Sequence, residues 1–364
     1  MPASPKILIL GAGGFIGSHL LERILTTTDR QVIGIDIQSS KIEHLLDSER
    51  LTFAQLNVHD TRAVTEYIEQ ADIVISLVAL CNPALYNTIP LDVIDINFNR
   101  PYELVKVCAR MGKWLIHFST SEIYGRTIAS YTGLSYEEQE PKNYLLNEDE
   151  TPLVLGPISN QRWSYACAKQ LLERVLYAFA FEKGLQYSVI RPFNFIGPRM
   201  DFIPGVDGEG TPRVLACFME ALLFHKPIRL VDGGLNRRVF TYIDDAVDAL
   251  MCMLRHPDQA KGHAFNVGNV ANEISIADLA RKMVATYKDL RPEFSECDFE
   301  INVVSGKAFY GEGYEDSDRR VPDIAKAREL IGWEPKTGLD RALRNTMRAY
   351  IEQYASAAAC RKAC

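Results

Sequence analysis

The sequence predicts a doubly wound α/β fold, a parallel sheet covered on both faces with a smaller C-terminal lobe, and three observations carry that expectation. Short β-branched or leucine-rich runs alternate with segments of helical period through the first half, a glycine-rich turn follows the first run directly, and the composition loosens after Pro192. Alternating strands and helices impose a parallel sheet, because each crossover must run over one of its faces.

The strand runs are Lys6–Leu10, Gln31–Asp36, Leu51–Asn57, Asp72–Leu77, Trp114–Ser119 and Gln186–Pro192. Each is short and apolar and is bounded by turn residues. Helical period falls between them at Phe15–Thr26, Thr61–Glu69, Leu91–Met111 and Arg162–Lys183. Beyond, Pro192–Gly210 carries three prolines and four glycines. A helix near Pro212–Phe224, a short strand at Ile228–Val231 and helices near Asp244–Leu254, Ser275–Tyr287, Asp323–Ile331 and Leu339–Tyr354 follow. The tail Ser356–Cys364, with Cys360 and Cys364, is expected to be frayed.

The composition narrows the function. At 364 residues, 47% apolar and 24% charged, the chain buries a large core and is not a disordered protein. Forty basic against 47 acidic residues, with no long run of either sign, leave no electrostatic footprint for nucleic acid, so an anionic ligand must be held by local groups. The apolar run Ile7–Leu10 is too short for a signal peptide, and no stretch approaches the ~18 to 20 apolar residues of a membrane span. A cytoplasmic protein that does not engage membranes is therefore expected. The eight cysteines lack C-x-x-C spacing, which indicates neither a disulfide framework nor a zinc site.

The first chemical signal is Gly11-Ala12-Gly13-Gly14-Phe15-Ile16-Gly17, directly after the first strand. Glycine there permits a tight turn and lets a pyrophosphate approach the backbone at a helix N-terminus, as in Rossmann-type folds. A plain strand-to-helix turn also favours glycine, so the context decides. The second strand ends at Asp36, 25 residues after Gly11, where a carboxylate accepts ribose hydroxyls and repels a 2′-phosphate. NAD is thus expected over NADP, bound by Gly11, Gly14, Phe15, Ile16, Gly17 and Asp36. Asn57-Val58 closes the third strand either as an adenine contact or as a strand-ending turn. On this basis residues 1–192 form the NAD-binding domain, with 240–268 returning to it, and 193–239 with 269–355 form a substrate-binding lobe.

The second signal is Tyr165-Ala166-Cys167-Ala168-Lys169, a Y-x-x-x-K on a predicted helix that sets both side chains one turn apart on one face. An ammonium there is expected to favour the phenolate, lower the tyrosine pKa and bond the nicotinamide ribose. The fifth strand runs out at Ser119-Thr120-Ser121-Glu122, and strand carboxyl ends are where open α/β sheets bind ligands.

Together with Arg191-Pro192-Phe193-Asn194, these motifs resemble the extended short-chain dehydrogenase/reductase family over essentially the whole chain. The resemblance implies that Tyr165 takes a sugar hydroxyl proton with help from Thr120 and Lys169 while NAD accepts hydride. Dehydratases of the family show Thr-Asp-Glu, whereas Thr120-Ser121-Glu122 is similar to the UDP-glucuronate decarboxylase group. Within that group the chain looks like the decarboxylase half of the bifunctional polymyxin-resistance protein and, more closely, the members that form UDP-apiose and UDP-xylose. The matching stretches are Gln161–Gln170, Gly197–Gly205 and Tyr310–Arg320. The resemblance implies a UDP-sugar held by Cys81, Tyr86, Arg162, Asn194, Arg229, Arg238 and Tyr314, with Glu122 near the reacting face and Arg320 as proton donor. Read without it, Arg320 is a surface residue paired with Asp316 at i−4. Ser121 departs from the apiose-forming pattern, which has a cysteine there, while that pattern's other cysteine is matched by Cys81. The resemblance also implies a homodimer through helices Leu91–Met111 and Arg162–Lys183, whose apolar surfaces equally suit ordinary packing on the sheet. A nucleotide-sugar 4-epimerase needs Asp36, Tyr165 and Lys169 but not Glu122 or Arg320. A non-catalytic dinucleotide sensor on the same fold has no need of the Tyr/Lys pair.

Overall fold

The computed structural model describes residues 4–311 and 315–362, the side chains of 358–362 excepted. In chain order the strands of the first half are β1 (Ile7–Leu10), β2 (Val32–Asp36), β3 (Leu51–Gln55), β4 (Ile73–Ser76), β5 (Trp114–Phe118), β6 (Leu145–Leu146), β7 (Gln186–Pro192) and β8 (Phe195–Ile196). Those of the second half are β9 (Ile228–Val231), β10 (Arg237–Val239), β11 (Thr241–Tyr242), β12 (Ala264–Val267), β13 (Glu273–Ser275), β14 (Ile301–Val304) and β15 (Arg319–Pro322).

Seven strands form the central sheet in the order β12-β7-β5-β4-β1-β2-β3, and every pairing in it is parallel. The order reverses beside β1, so the carboxyl ends of β1 and β4 diverge into a crevice. β1, β4 and β5 are buried along their whole length, as a sheet covered on both faces requires. One apolar core on one face joins Leu20, Leu21 and Ile24 of helix Phe15–Thr27 to Ala246, Val247 and Leu250 of helix Ile243–Arg255. The other face packs Val64, Val105, Leu172 and Leu176 against β1, β2 and β4.

The second half also builds a four-stranded sheet, β13-β10-β15-β6, that no periodicity in the sequence indicates. Its strands are two to four residues long and come from distant parts of the chain, with β6 drawn from the first half. This sheet brings Arg238 and Arg320 into register as neighbours on parallel strands.

Two expectations need correction. The helix expected over Leu91–Met111 begins at Pro90 and changes to π-helical geometry at Asp95–Asn99 before continuing as Arg100–Arg110. The wide turn there accommodates the buried Asn97, whose side chain accepts from Leu80 N at 3.2 Å and donates to Leu80 O at 3.0 Å. Arg162 precedes its helix, in a 3-10 turn at Gln161–Trp163, and the regular helix is Ser164–Lys183. The described part of the tail continues helix Leu339–Lys362. Helix Ala325–Ile331 packs on helix Ile243–Arg255 and β12. Asp245 holds it there by accepting from Lys336 N and Thr337 N at 3.1 and 2.9 Å.

Candidate active site

The chain leaves β1 through a turn that only glycine can make. Gly11 has φ +92°, in the region that favours glycine. A Cβ on Gly13 would lie 2.0 Å from the carbonyl oxygen of Gln38, and one on Gly17 would lie 2.0 Å from that of Gly11. Gly14 then caps helix Phe15–Thr27 without a side-chain hydrogen bond, and the first turn holds no acidic residue, so its N–H groups suit an anion. Asp36, at the end of β2, accepts from Gly13 N at 2.9 Å and from Gln38 N at 3.3 Å. Gly11, Gly14, Phe15, Ile16, Gly17, Asp36, Asn57 and Val58 all line one open groove, with the loop Leu77–Asn82 opposite. Asn57 accepts from His59 N at 3.0 Å, the strand-ending turn, and also borders the groove. A dinucleotide fits these residues because the backbone approach is sterically open, the helix terminus is uncapped and a carboxylate stands at the second strand's end.

Gly13 escaped the sequence reading because spacing alone does not reveal the carbonyl of Gln38 above it. Asp36 both braces this turn and borders the groove. Asp36→Ala is therefore expected to relax discrimination between NAD and NADP and to weaken NAD binding, and titration of each cofactor into the variant measures both.

Beside Cys81 of the groove wall, Tyr165 is buried and its ring stacks on that of Tyr86, with centroids 5.1 Å apart. Thr120 hydrogen-bonds the Tyr165 phenol and also accepts from Glu122 N at 3.1 Å, which turns the chain at the carboxyl end of β5. The next residue, Ser121, is buried. Lys169, one helical turn beyond Tyr165, is 1% exposed and donates to Phe118 O at 2.8 Å. Burial lowers Lys169 to about 8. The tyrosine does not follow the expected direction. Burial, then Cys81 and Glu122, push the Tyr165 hydroxyl well above its ordinary value, while Thr120 and Arg213 pull it down. Desolvation of a phenolate outweighs one neighbouring ammonium that is itself desolvated.

Beside this pair lies a buried charge cluster of three arginines and two acids. Arg162 donates to Glu122 at 2.7 Å, and its guanidinium lies 5.4 Å from the Tyr86 ring centre. Asp316 sits among Arg238 at 2.5 Å, Arg320 at 3.5 Å and Arg162 at 3.9 Å. Although burial opposes ionisation of Asp316, the guanidinium groups of Arg238, Arg320 and Arg162 hold it well below the usual carboxylate range. Arg320 is paired with Asp316 as its spacing suggested, but it lies on β15 and is 7% exposed, so it is not a surface residue. Burial and Arg238 lower Arg320 to about 10. The Nε groups of Arg162 and Arg320 and the Tyr86 hydroxyl have no hydrogen-bond partner among the described residues. Buried donors of this kind call for a polar ligand.

These arginines line a cavity that also takes in Cys81, Asn194 and Arg229. Asn194, at φ +40°, donates to Val239 O at 2.8 Å. Arg229 is exposed and lies over the Phe309 ring, with 4.9 Å to its centre. Solvent reaches Cys81 along the cleft, yet the surrounding protein raises its thiol pKa. Tyr314 lies outside the described residues. Asp316 is the hub that the sequence reading passed over, visible there only as a neighbour of Arg320.

Residues 7–268 match the model of the NAD dependent epimerase/dehydratase family. The chain is 48% identical over 367 aligned residues to UDP-D-apiose/UDP-D-xylose synthase 2 of Arabidopsis thaliana, covering 98% of this chain and 94% of that protein. It is 47% identical to UDP-D-apiose/UDP-D-xylose synthase of Oryza sativa subsp. japonica, covering 98% and 92%. Among solved structures, the PbgP3 protein from Burkholderia pseudomallei superposes with a TM-score of 0.83 at 35% identity, covering 98% of this chain and 99% of that one. UDP-glucuronic acid 4-epimerase from Bacillus cereus, solved with UDP-glucuronic acid and NAD, has a TM-score of 0.76 at 22% identity over 96% of this chain and 100% of that one, a likeness of fold.

Proposed function

The chain belongs to the NAD dependent epimerase/dehydratase family, and from that premise we propose that it is an NAD-dependent enzyme that oxidises and decarboxylates UDP-glucuronate. The observation that carries this reading is that Tyr165, paired with Thr120, lies beside Cys81 and Glu122, which line the same cavity as Arg162, Asp316 and Arg320. An epimerase needs Tyr165 and has no use for Glu122 or Arg320. Relatives at 47 to 48% identity named as UDP-apiose/UDP-xylose synthases support the substrate.

NAD bound by the glycine turn and Asp36 would supply the two-electron oxidation at C4 of the sugar. Tyr165 is the group placed to take the C4 hydroxyl proton, oriented by Thr120 and by its stack on Tyr86. Burial disfavours its phenolate, so the cationic nicotinamide of bound NAD and the Lys169 ammonium one helical turn away would supply the stabilisation that makes it a base. A ketone at C4 is β to the C5 carboxylate, so CO2 leaves with its electrons delocalised into an enolate. Arg320 then has two properties of a proton donor to C5. It is buried in the cavity wall, and its lowered pKa of about 10 makes the guanidinium a better acid than one in water. Arg162 holds Glu122 in place at 2.7 Å, which fixes the carboxylate at the reacting face. NAD-dependent release of CO2 from UDP-glucuronate tests the reading, and its absence would overturn it.

Ser121 bears on the product. Contracting the ring to apiose employs a cysteine pair in the enzymes that this chain resembles, and a serine hydroxyl titrates far above a thiol of pKa near ~8.5. The expected products are UDP-4-keto-pentose and UDP-xylose with little UDP-apiose, and a dominant branched-chain signal in the NMR spectrum would contradict the role given to Ser121.

The same reading includes a homodimer. Leu171, Tyr177 and Phe181 on helix Ser164–Lys183, and Leu91 at the start of the neighbouring helical segment, are exposed apolar side chains that a partner copy would cover. Light scattering on the eluted protein should give twice the chain mass, and a monomer would contradict the assignment.

A further inference from the structure

Thr120 and Tyr165 act on one proton but come from different elements. Thr120 opens the 3-10 turn Ser121–Tyr124 beyond β5, and Tyr165 stands on helix Ser164–Lys183. Their contact depends on where that helix sits relative to the turn. Leu172 and Leu176 pack the helix on the sheet, but hydrophobic attraction has no direction of its own. Arg191, buried on β7, bonds both elements. Its Nε and Nη2 donate to the Glu173 carboxylate at 3.2 and 2.6 Å, and Glu173 lies one turn after Lys169 on the helix. Its Nη1 donates to the Tyr124 hydroxyl at 2.7 Å and to Glu148 O at 3.1 Å. Tyr124 is fully buried, closes the turn that Thr120 opens, and donates in turn to Asn266 Oδ1 at 2.8 Å. Burial opposes the charge of Arg191, yet Glu173 and Tyr124 keep it more firmly protonated than in water.

We propose that Arg191 is a positioning residue, which by gripping Glu173 on one side and the Tyr124 hydroxyl on the other sets the distance from Thr120 to the Tyr165 phenol. A guanidinium that holds a carboxylate through two bonds fixes direction as well as distance, and the bond to Tyr124 carries that constraint to the turn. A buried ion pair adds little stability over apolar residues of the same volume, so fixed geometry is the effect to look for. A misplacement of about 1 Å between groups that act together can cost on the order of 10²-fold in rate. The inference rests on the reading of Tyr165 as the group that takes the C4 proton.

Single-turnover formation of NADH from UDP-glucuronate and NAD, with NAD and UDP each titrated separately by calorimetry, tests this on the full chain. Tyr124→Phe keeps the ring and frees the turn end of the tie, and Glu173→Gln keeps the shape and weakens the helix end. Each should slow NADH formation about tenfold while the affinities for NAD and UDP stay within about twofold of wild type. The double variant should be little slower than either single one, since a tie cut at one end is already cut. Thr120→Val removes the hydroxyl through which the tie acts, so adding Tyr124→Phe to it should slow the reaction by less than about twofold more. A merely structural role would lower the melting temperature and multiply the losses. If Tyr124→Phe forms NADH at the wild-type rate, or if its loss multiplies with that of Thr120→Val, the proposal fails. Both of these outcomes are read without Glu173→Gln, should that variant not fold. A wild type that forms no NADH would instead overturn the role of Tyr165, and the tie with it. Circular dichroism melts of the variants confirm that folded protein is being compared.

Discussion

Tyr165→Phe is expected to lower turnover by roughly 10³-fold while NAD binding persists. The substitution deletes one oxygen and leaves the ring that stacks on Tyr86, so the packing of Tyr86, Arg162 and Tyr165 survives. What is lost is the oxygen that serves as proton acceptor in the cofactor-loaded site, and Thr120 then has no phenol to orient. A structural role would lower the melting temperature or the NAD affinity along with the rate. The role assigned here lowers the rate alone. Single-turnover measurement of NADH formation, with NAD titrated separately, distinguishes them, and wild-type turnover in the variant would remove Tyr165 from the reaction.

The second large effect is expected at Asp316, whose replacement by asparagine keeps the shape and removes a carboxylate shared by Arg162, Arg238 and Arg320. Arg162 retains Glu122, and Arg238 retains a bond to the Arg237 carbonyl at 2.8 Å, but Arg320 is left without its acid. Breaking a buried pair from one side costs about 3 to 5 kcal/mol, because the remaining charge stays desolvated. In a chain of this length that lowers the melting temperature by roughly 5 °C. Acidification should show the same cluster. The folded-state pKa of Asp316 is depressed, so its contribution is present above the unfolded carboxylate range, near ~3.9, and fades as pH falls toward the folded value. The stability gap between wild type and Asp316→Asn should therefore be full at neutral pH and narrow below about pH 4. A gap that stayed constant with pH would show that the carboxylate charge is not what holds the cluster. The KM for UDP-glucuronate should rise as well, since Arg162, Arg238 and Arg320 line the cavity.

The sequence by itself determined the parallel sheet, the glycine turn with its carboxylate at Asp36, and the Tyr165/Lys169 pair one helical turn apart. Each of these is local. A strand's period, a turn's need for glycine and the i, i+4 spacing on a helix are set by backbone geometry within a few residues, so they are visible without knowledge of what packs against them. The tertiary structure alone decided the rest. The charge cluster draws Glu122, Arg162, Arg238, Asp316 and Arg320 from four separate stretches of chain, and only the pairing of β10 with β15 and the carboxyl end of β5 bring them together. Gly13 is required by the carbonyl of Gln38. The direction of the Tyr165 shift was also decided there. Spacing places a lysine near a tyrosine, but how far each is desolvated depends on every element that covers them, and for Tyr165 that burial outweighs the charge.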